Sequence, residues 1–143
     1  MSNASILIRG VNWLGDAVMT TPALALLRAA HPKAKISVLT HEKLAGLWIG
    51  HPAVNEIITF AARDSVFKTA RRLRSGRFDF ALILPNSHRS ALECWLAGIP
   101  RRIGHVRPWR DWLLTDPVPP RPEEVQMVQK TAFEIRLLLE TGL

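Results

Sequence analysis

Several absences narrow the field before any motif is read. The chain of 143 residues has one cysteine, Cys94. That excludes an internal disulfide and suits a reducing, cytoplasmic compartment. No apolar run approaches the roughly 20 residues needed to span a bilayer. The opening Met1-Ser-Asn-Ala4 is short and polar and leads directly into an apolar run, unlike a signal peptide. There is no G-x-G-x-x-G, no G-x-x-x-x-G-K-[ST] and no G-x-S-x-G. A dinucleotide fingerprint, a P-loop and a hydrolase nucleophile elbow are therefore all missing. The histidines (His31, His41, His51, His88, His105) are scattered and never spaced as metal ligands with Cys94. Neither a metal nor a cofactor is expected. What remains is chemistry without metal or covalent intermediate, or simple binding. Acidic residues are also scarce, 12 against 19 Lys and Arg, for a net charge of +7.

What is present reads as one compact domain. A content of 48% hydrophobic and 22% charged residues is that of a globular chain and argues against disorder. The pattern alternates strand and helix: strands over Ile6–Arg9, Lys35–Leu39, Glu56–Phe60, Asp79–Leu84 and Arg101–Gly104. Helices are predicted over Asp16–Ala30, His41–Gly50, Ser65–Ser75, Ser87–Ala97 and Glu123–Glu140, with a proline-rich turn at Pro117–Pro122. Pro22 either kinks the first helix or marks a restart capped by Thr21. Cys94 falls in an apolar helical stretch and reads as a small core residue. Alternation with short loops implies an α/β fold, a Rossmann-like doubly wound parallel sheet with flanking helices. Ligands of such sheets bind beyond the C-terminal ends of the strands. The loops Gly10–Asp16, Thr40–Lys43, Pro85–Arg89 and His105–Arg110 collect there.

The first of these loops is the most informative. An apolar strand runs into Gly10, Asn12, Trp13 and Gly15, and a helix opens with Asp16 at its start. A helix N-terminus offers free N–H groups and the positive end of a dipole to an anionic ligand. Asp16 is either a cap for that helix or a base held where a substrate docks. Trp13 is either a stacking surface or a packing residue. The loop Leu84-Pro-Asn-Ser-His-Arg-Ser-Ala91 is the second. Ser87 or Asn86 is a natural N-cap, but capping does not account for Asn86, Ser87, His88, Arg89 and Ser90 together. They suit an anion or a hydroxyl group, with Arg89 as a planar fork for phosphate.

The basic excess forms two groups. Arg71, Arg72, Arg74 and Arg77 lie on an amphipathic surface helix and its end, and read as a solvated face. Arg101, Arg102, Arg107 and Arg110 mix with Trp109 and Trp112 in a loop and suit a binding surface. A polyanion is the natural partner: a phosphorylated substrate, an acidic membrane surface or nucleic acid. Nucleic acid is disfavoured, because neither an RNP-type strand nor a helix-turn-helix pattern is present.

Two stretches carry a more specific resemblance. Arg9-Gly-Val-Asn-Trp-Leu-Gly-Asp-Ala-Val-Met-Thr-Thr-Pro-Ala-Leu24 and Pro85-Asn-Ser with the later Ala97-Gly-Ile-Pro100 resemble the lipopolysaccharide heptosyltransferases of glycosyltransferase family 9, and among them the heptosyltransferase II type. The resemblance implies the N-terminal, acceptor-binding half of a GT-B enzyme over residues 1–143, with the donor-binding half lying beyond Leu143. It implies inverting transfer of heptose from ADP-heptose to the phosphorylated lipopolysaccharide inner core, with Asp16 as the catalytic base. Asn12, Trp13 and Gly15 would shape the loop at the reacting sugar. Asn86, Ser87 and Arg89 would hold the acceptor, and Arg102, Arg107 and Arg110 its phosphates. The enzyme would work in the cytoplasm, at the inner-membrane surface where the lipid-anchored acceptor lies. The chain departs from the family in Gln126–Phe133, which lacks the His or Tyr that relatives often carry there.

Overall fold

The computed structural model describes residues 4–85 and 87–118. Asn86 and the expected proline turn and final helix beyond Val118 lie outside the described residues. Six strands form one sheet: β1 (Ser5–Arg9), β2 (Lys35–His41), β3 (Glu56–Phe60), β4 (Phe80–Ile83), β5 (Arg101–His105) and β6 (Asp116–Val118). Their order is β3-β2-β1-β4-β5-β6 and every pairing is parallel. The helices are α1 (Leu14–Ala30), the short α2 (Ala45–Trp48), α3 (Val66–Ser75) and α4 (His88–Leu96).

A strand's side chains alternate between faces, and the central strands here carry apolar residues on both. Ile6, Ile8, Ile36, Val38, Phe80 and Leu82 share one core with Leu24 and Leu27 of α1 and Trp48 of α2. Leu7, Leu39, Ala81 and Ile83 share the other with Leu73 of α3 and with Ala91 and Cys94 of α4. This is the expected doubly wound architecture. Cys94 is buried as expected, and desolvation pushes its thiol up to about 12.

The helix α1 resolves the question raised by Pro22. It runs unbroken through the proline. Pro22 has no N–H to donate to the carbonyl of Val18, and the Thr21 hydroxyl donates to that oxygen instead, at 2.8 Å. Helix α1 begins two residues earlier than the sequence suggests. Trp13 occupies the N-cap and makes no side-chain cap bond. The Asp16 carboxylate therefore lies inside the first turn and is not the N-cap.

Two other expectations are corrected. The helix expected over His41–Gly50 is shorter, because β2 continues to His41 and a 3₁₀ turn (Glu42–Leu44) precedes α2. The stretch beginning at Pro117 is not all turn: Asp116–Val118 adds β6 to the sheet edge, where a residue without an N–H is tolerated. A second 3₁₀ turn, Asp111–Leu113, precedes it.

An ion pair fastens β6 to β5: Arg101 Nη2 meets Asp116 Oδ2 at 2.6 Å. This hydrogen bond is the main reason the Asp116 carboxyl sits below its ordinary range. A depressed carboxylate contributes stability that is fully present above about pH 4, its unfolded value, and is lost as the pH falls through the native value. Urea midpoints for wild type and Asp116→Asn are expected to differ at pH 7 and to converge near pH 2. Equal midpoints at pH 7 would remove the pair from the stability of the edge.

Candidate active site at the switch between β1 and β4

Strand order reverses between β1 and β4, because β1 leads outward to β2 and β4 to β5. The loops leaving these two strands diverge over opposite faces and leave a crevice between them. An open cleft of about 290 Å³ lies there, lined by Val11, Asn12, Trp13, Asp16, Leu84, Pro85 and Ser87. One wall is the β1–α1 loop and the other the β4–α4 loop. Four residues expected from the sequence thus meet in one place: Asn12, Trp13, Asp16 and Ser87.

Each wall is held by contacts below it. Gly10 N donates to Leu39 O at 2.8 Å, and a Cβ on Gly10 would stand 3.2 Å from that same oxygen. A side chain at this position would press on the β2 backbone, which would have to give by a few tenths of an ångström. Arg9, at the end of β1, is buried and extends Nη1 to Gly10 O (2.9 Å) and to Asn12 Oδ1 (3.2 Å). On the opposite wall Ser87 caps α4, its Oγ accepting from Ser90 N at 3.2 Å. The capping expected of Ser87 is present, and its side chain still reaches the cleft.

The Asp16 carboxylate is half-buried and accepts no hydrogen bond from any described residue. It faces a cleft whose opening Trp13 flanks with an indole 74% exposed. That exposure excludes the packing role for Trp13. Gly15 lies beside Asp16 in the first turn of α1 but does not line the cleft, and a Cβ there would meet nothing within 4 Å. Arg89, in the first turn of α4, is exposed and pairs loosely with Glu93 (Nε to Oε2, 3.4 Å). It also donates to Asp64 O.

The three arginines expected at acceptor phosphates separate. Arg107 is exposed in the loop after β5, its backbone N–H donating to Asp111 Oδ1 at 2.9 Å. Arg102 lies near the start of β5, the sheet end remote from the cleft. It donates to the carbonyls of Leu113 (2.6 Å) and Ile99 (2.7 Å), and burial lowers its pKa. A phosphate in the cleft is out of its reach. Arg110 is fully buried and donates to the carbonyls of His105 (2.9 Å), Pro85 (2.9 Å) and Ser87 (3.0 Å). Gly104 leaves it room: a Cβ there would stand 3.0 Å from Arg110 Nη2. Arg110 therefore supports the Pro85–Ser87 wall from behind and presents no free face to a phosphate. The expectations for Arg102 and Arg110 are corrected on this geometry.

Sequence reasoning missed Glu93 and the use of Arg9. Each was visible only as a charge in an apolar setting, Arg9 closing Ile6-Leu-Ile8 and Glu93 beside Cys94 on the inner side of α4.

Comparison with known proteins agrees with the fold and extends it. No protein-family model matches the chain. Lipopolysaccharide heptosyltransferase 2 of Escherichia coli (strain K12) is 36% identical over 117 residues, 78% of this chain and 34% of that protein. Lipooligosaccharide heptosyltransferase 2 of Haemophilus ducreyi is 33% identical over 110 residues, 73% of this chain and 30% of its own length. Among solved structures, E. coli ADP-heptose lps heptosyltransferase II superposes with a TM-score of 0.79 at 33% identity, over 92% of this chain and 40% of that one. E. coli heptosyltransferase WaaC with ADP shares the fold at TM-score 0.80 and 22% identity, over 93% and 46%. The chain spans about a third of the length of the curated relatives it matches.

The fold is thus that of one Rossmann-like part of a GT-B glycosyltransferase. Within that class the chain is similar, at 33–36% identity over its matched part, to lipopolysaccharide and lipooligosaccharide heptosyltransferases 2.

The framework role of Arg110 has a measurable consequence. Arg110→Met removes the hydrogen bonds that Arg110 donates to the carbonyls of Pro85, Ser87 and His105, at a cost of about 3 kcal/mol. Arg107→Ala, at an exposed position, is expected to change stability by under about 0.5 kcal/mol. Urea unfolding of the two variants checks the contrast, and equal midpoints would contradict it.

Proposed function

We propose that this chain is the acceptor-binding part of an enzyme that transfers heptose from ADP-heptose to the phosphorylated inner core of lipopolysaccharide. One observation carries the reading: the cleft at the strand-order reversal gathers Asp16, Asn12, Trp13 and Ser87, in a chain 36% identical to a heptosyltransferase 2.

In this reading Asp16 is the general base. Its carboxylate takes the proton from an acceptor hydroxyl as that oxygen attacks the anomeric carbon of the heptose. The new C–O bond forms as the bond to the β-phosphate oxygen breaks, and ADP leaves with the electron pair. One displacement from the far side inverts the anomeric centre. A positioned base contributes about 10²–10⁴ in rate. Asn12 and Ser87 offer hydrogen bonds to sugar hydroxyls, and Trp13 offers a flat face for a sugar ring. Asn86, outside the described residues, is assigned to the acceptor by the sequence resemblance alone. Arg89 and Arg107 are exposed cations on this edge and are suited to acceptor phosphates. Gly15, next to Asp16 but not lining the cleft, would act on the sugar only through the shape of the loop. The lipid anchor of such an acceptor would bring the enzyme to the inner-membrane surface. Among the described residues no helix is long and apolar enough to cross a membrane.

The test uses the chain joined to the remaining length of a family member. Transfer from ADP-heptose to monoheptosylated inner core is measured for wild type and Asp16→Asn. A fall in kcat of at least about a hundredfold, with acceptor binding retained, is expected. Full activity in Asp16→Asn would remove the base. Transfer from a different nucleotide sugar only would remove the donor assignment.

A further inference from the structure

Arg9 and Glu93 take no part in the proposed displacement, and neither lines the cleft. They nonetheless form the most deeply buried ion pair among the described residues, with side chains 2% and 0% exposed and Nε–Oε1 at 2.8 Å. Burying two charges is costly, and a packed apolar pair of similar volume often stabilises a fold as well or better. Stability alone is a weak reason for the pair. Its position supplies a better one.

Arg9 ends β1 directly below the first cleft wall. Its Nη1 donates to Gly10 O and Asn12 Oδ1, so the same guanidinium that meets Glu93 also fixes the loop carrying Asn12. The Phe60 ring, 4.6 Å from the Arg9 guanidinium carbon, limits its movement from the side. Glu93 lies 84 residues away on α4, the helix whose capped N-terminus forms the second wall. Its other oxygen accepts from Arg89 Nε at 3.4 Å in the first turn of that helix. The fork of an arginine holds direction as well as charge, which an ammonium does not.

We propose that the Arg9–Glu93 pair is a positioning device that ties the two walls of the cleft together and sets the place of the Asn12–Asp16 loop relative to Ser87. Arg9 and Glu93 are positioning residues, acting on the acceptor through Asn12 and α4. The kinetic part of this inference rests on the transfer reading above; the structural part does not.

The decisive variant removes both charges at once, Arg9→Met with Glu93→Leu, so that no lone charge is left buried. In the chain joined to its donor-binding part, this variant is expected to fold and melt within about 5 °C of wild type. Its kcat is expected to fall at least tenfold while KM for ADP-heptose stays within twofold. In ¹H–¹⁵N spectra of the 143-residue chain, the backbone amides of Trp13, Asp16 and Ser87, none bonded to a substituted residue, are expected to shift. A purely structural pair would leave kcat within twofold and those resonances in place, and that result overturns the proposal. If the double variant does not fold, Arg9→Lys decides: it keeps the charge and loses the fork, so loss of kcat in a folded protein supports the proposal and full kcat overturns it. If wild type transfers no heptose, the transfer reading fails by itself, and the resonances of the folded variant alone decide: shifted supports, unmoved overturns.

Discussion

Parallel pairing is the constraint on which the rest depends. Two parallel strands cannot be joined by a hairpin; the chain must cross back over one face of the sheet before it re-enters. Every strand here therefore starts at one end of the sheet and delivers its chain to the other. The loops after β1, β4 and β5 emerge together although they are far apart in sequence. The crevice exists because the crossovers from β1 and from β4 cover opposite faces. The cleft follows from topology before any side chain is considered, and the side chains then give it chemistry.

That chemistry is held in place by buried polar groups behind the walls. Apolar packing is non-directional and would let the loops settle in more than one arrangement. Arg9 on one side donates to Gly10 O and to the side chains of Asn12 and Glu93, and Arg110 on the other donates to the carbonyls of Pro85, Ser87 and His105. Two of the chain's many arginines thus serve the interior, and they should be subtracted from any account of the basic surface. The charge of +7 overstates what a polyanion would meet on this edge.

The sheet was legible in the sequence because fully buried strands announce themselves as short apolar runs, as Ile6-Leu-Ile8 and Phe80–Leu84 do. The position of the cleft was legible as well, since glycines and polar residues cluster after two of those runs. Other features depended on contacts that local pattern does not encode. Thr21 rescues the carbonyl that Pro22 abandons, and a proline rule by itself sees only a break. Pro117 is tolerated in β6 because that strand is an edge. Arg107 and Arg110, three residues apart in one irregular loop, differ completely in burial. No periodicity distinguishes them, because a loop has none. Arg9 and Glu93 become partners only when β1 and α4 are brought together.

The distribution of tryptophan sets how the molecule reports on itself. Trp48 alone of the five is buried, while Trp13, Trp95, Trp109 and Trp112 all face solvent to a large degree. Trp112 stands edge-on to Trp95, 5.5 Å between ring centres, with His88 at 6.4 Å. Indole emission from the native protein is accordingly expected to come mainly from solvent-facing side chains. Loss of structure changes that signal little. A molecule settling against Trp13 or the Trp95–Trp112 pair changes it much more. The intrinsic fluorescence of this domain is a gauge of occupancy at its edge and a poor thermometer of its core.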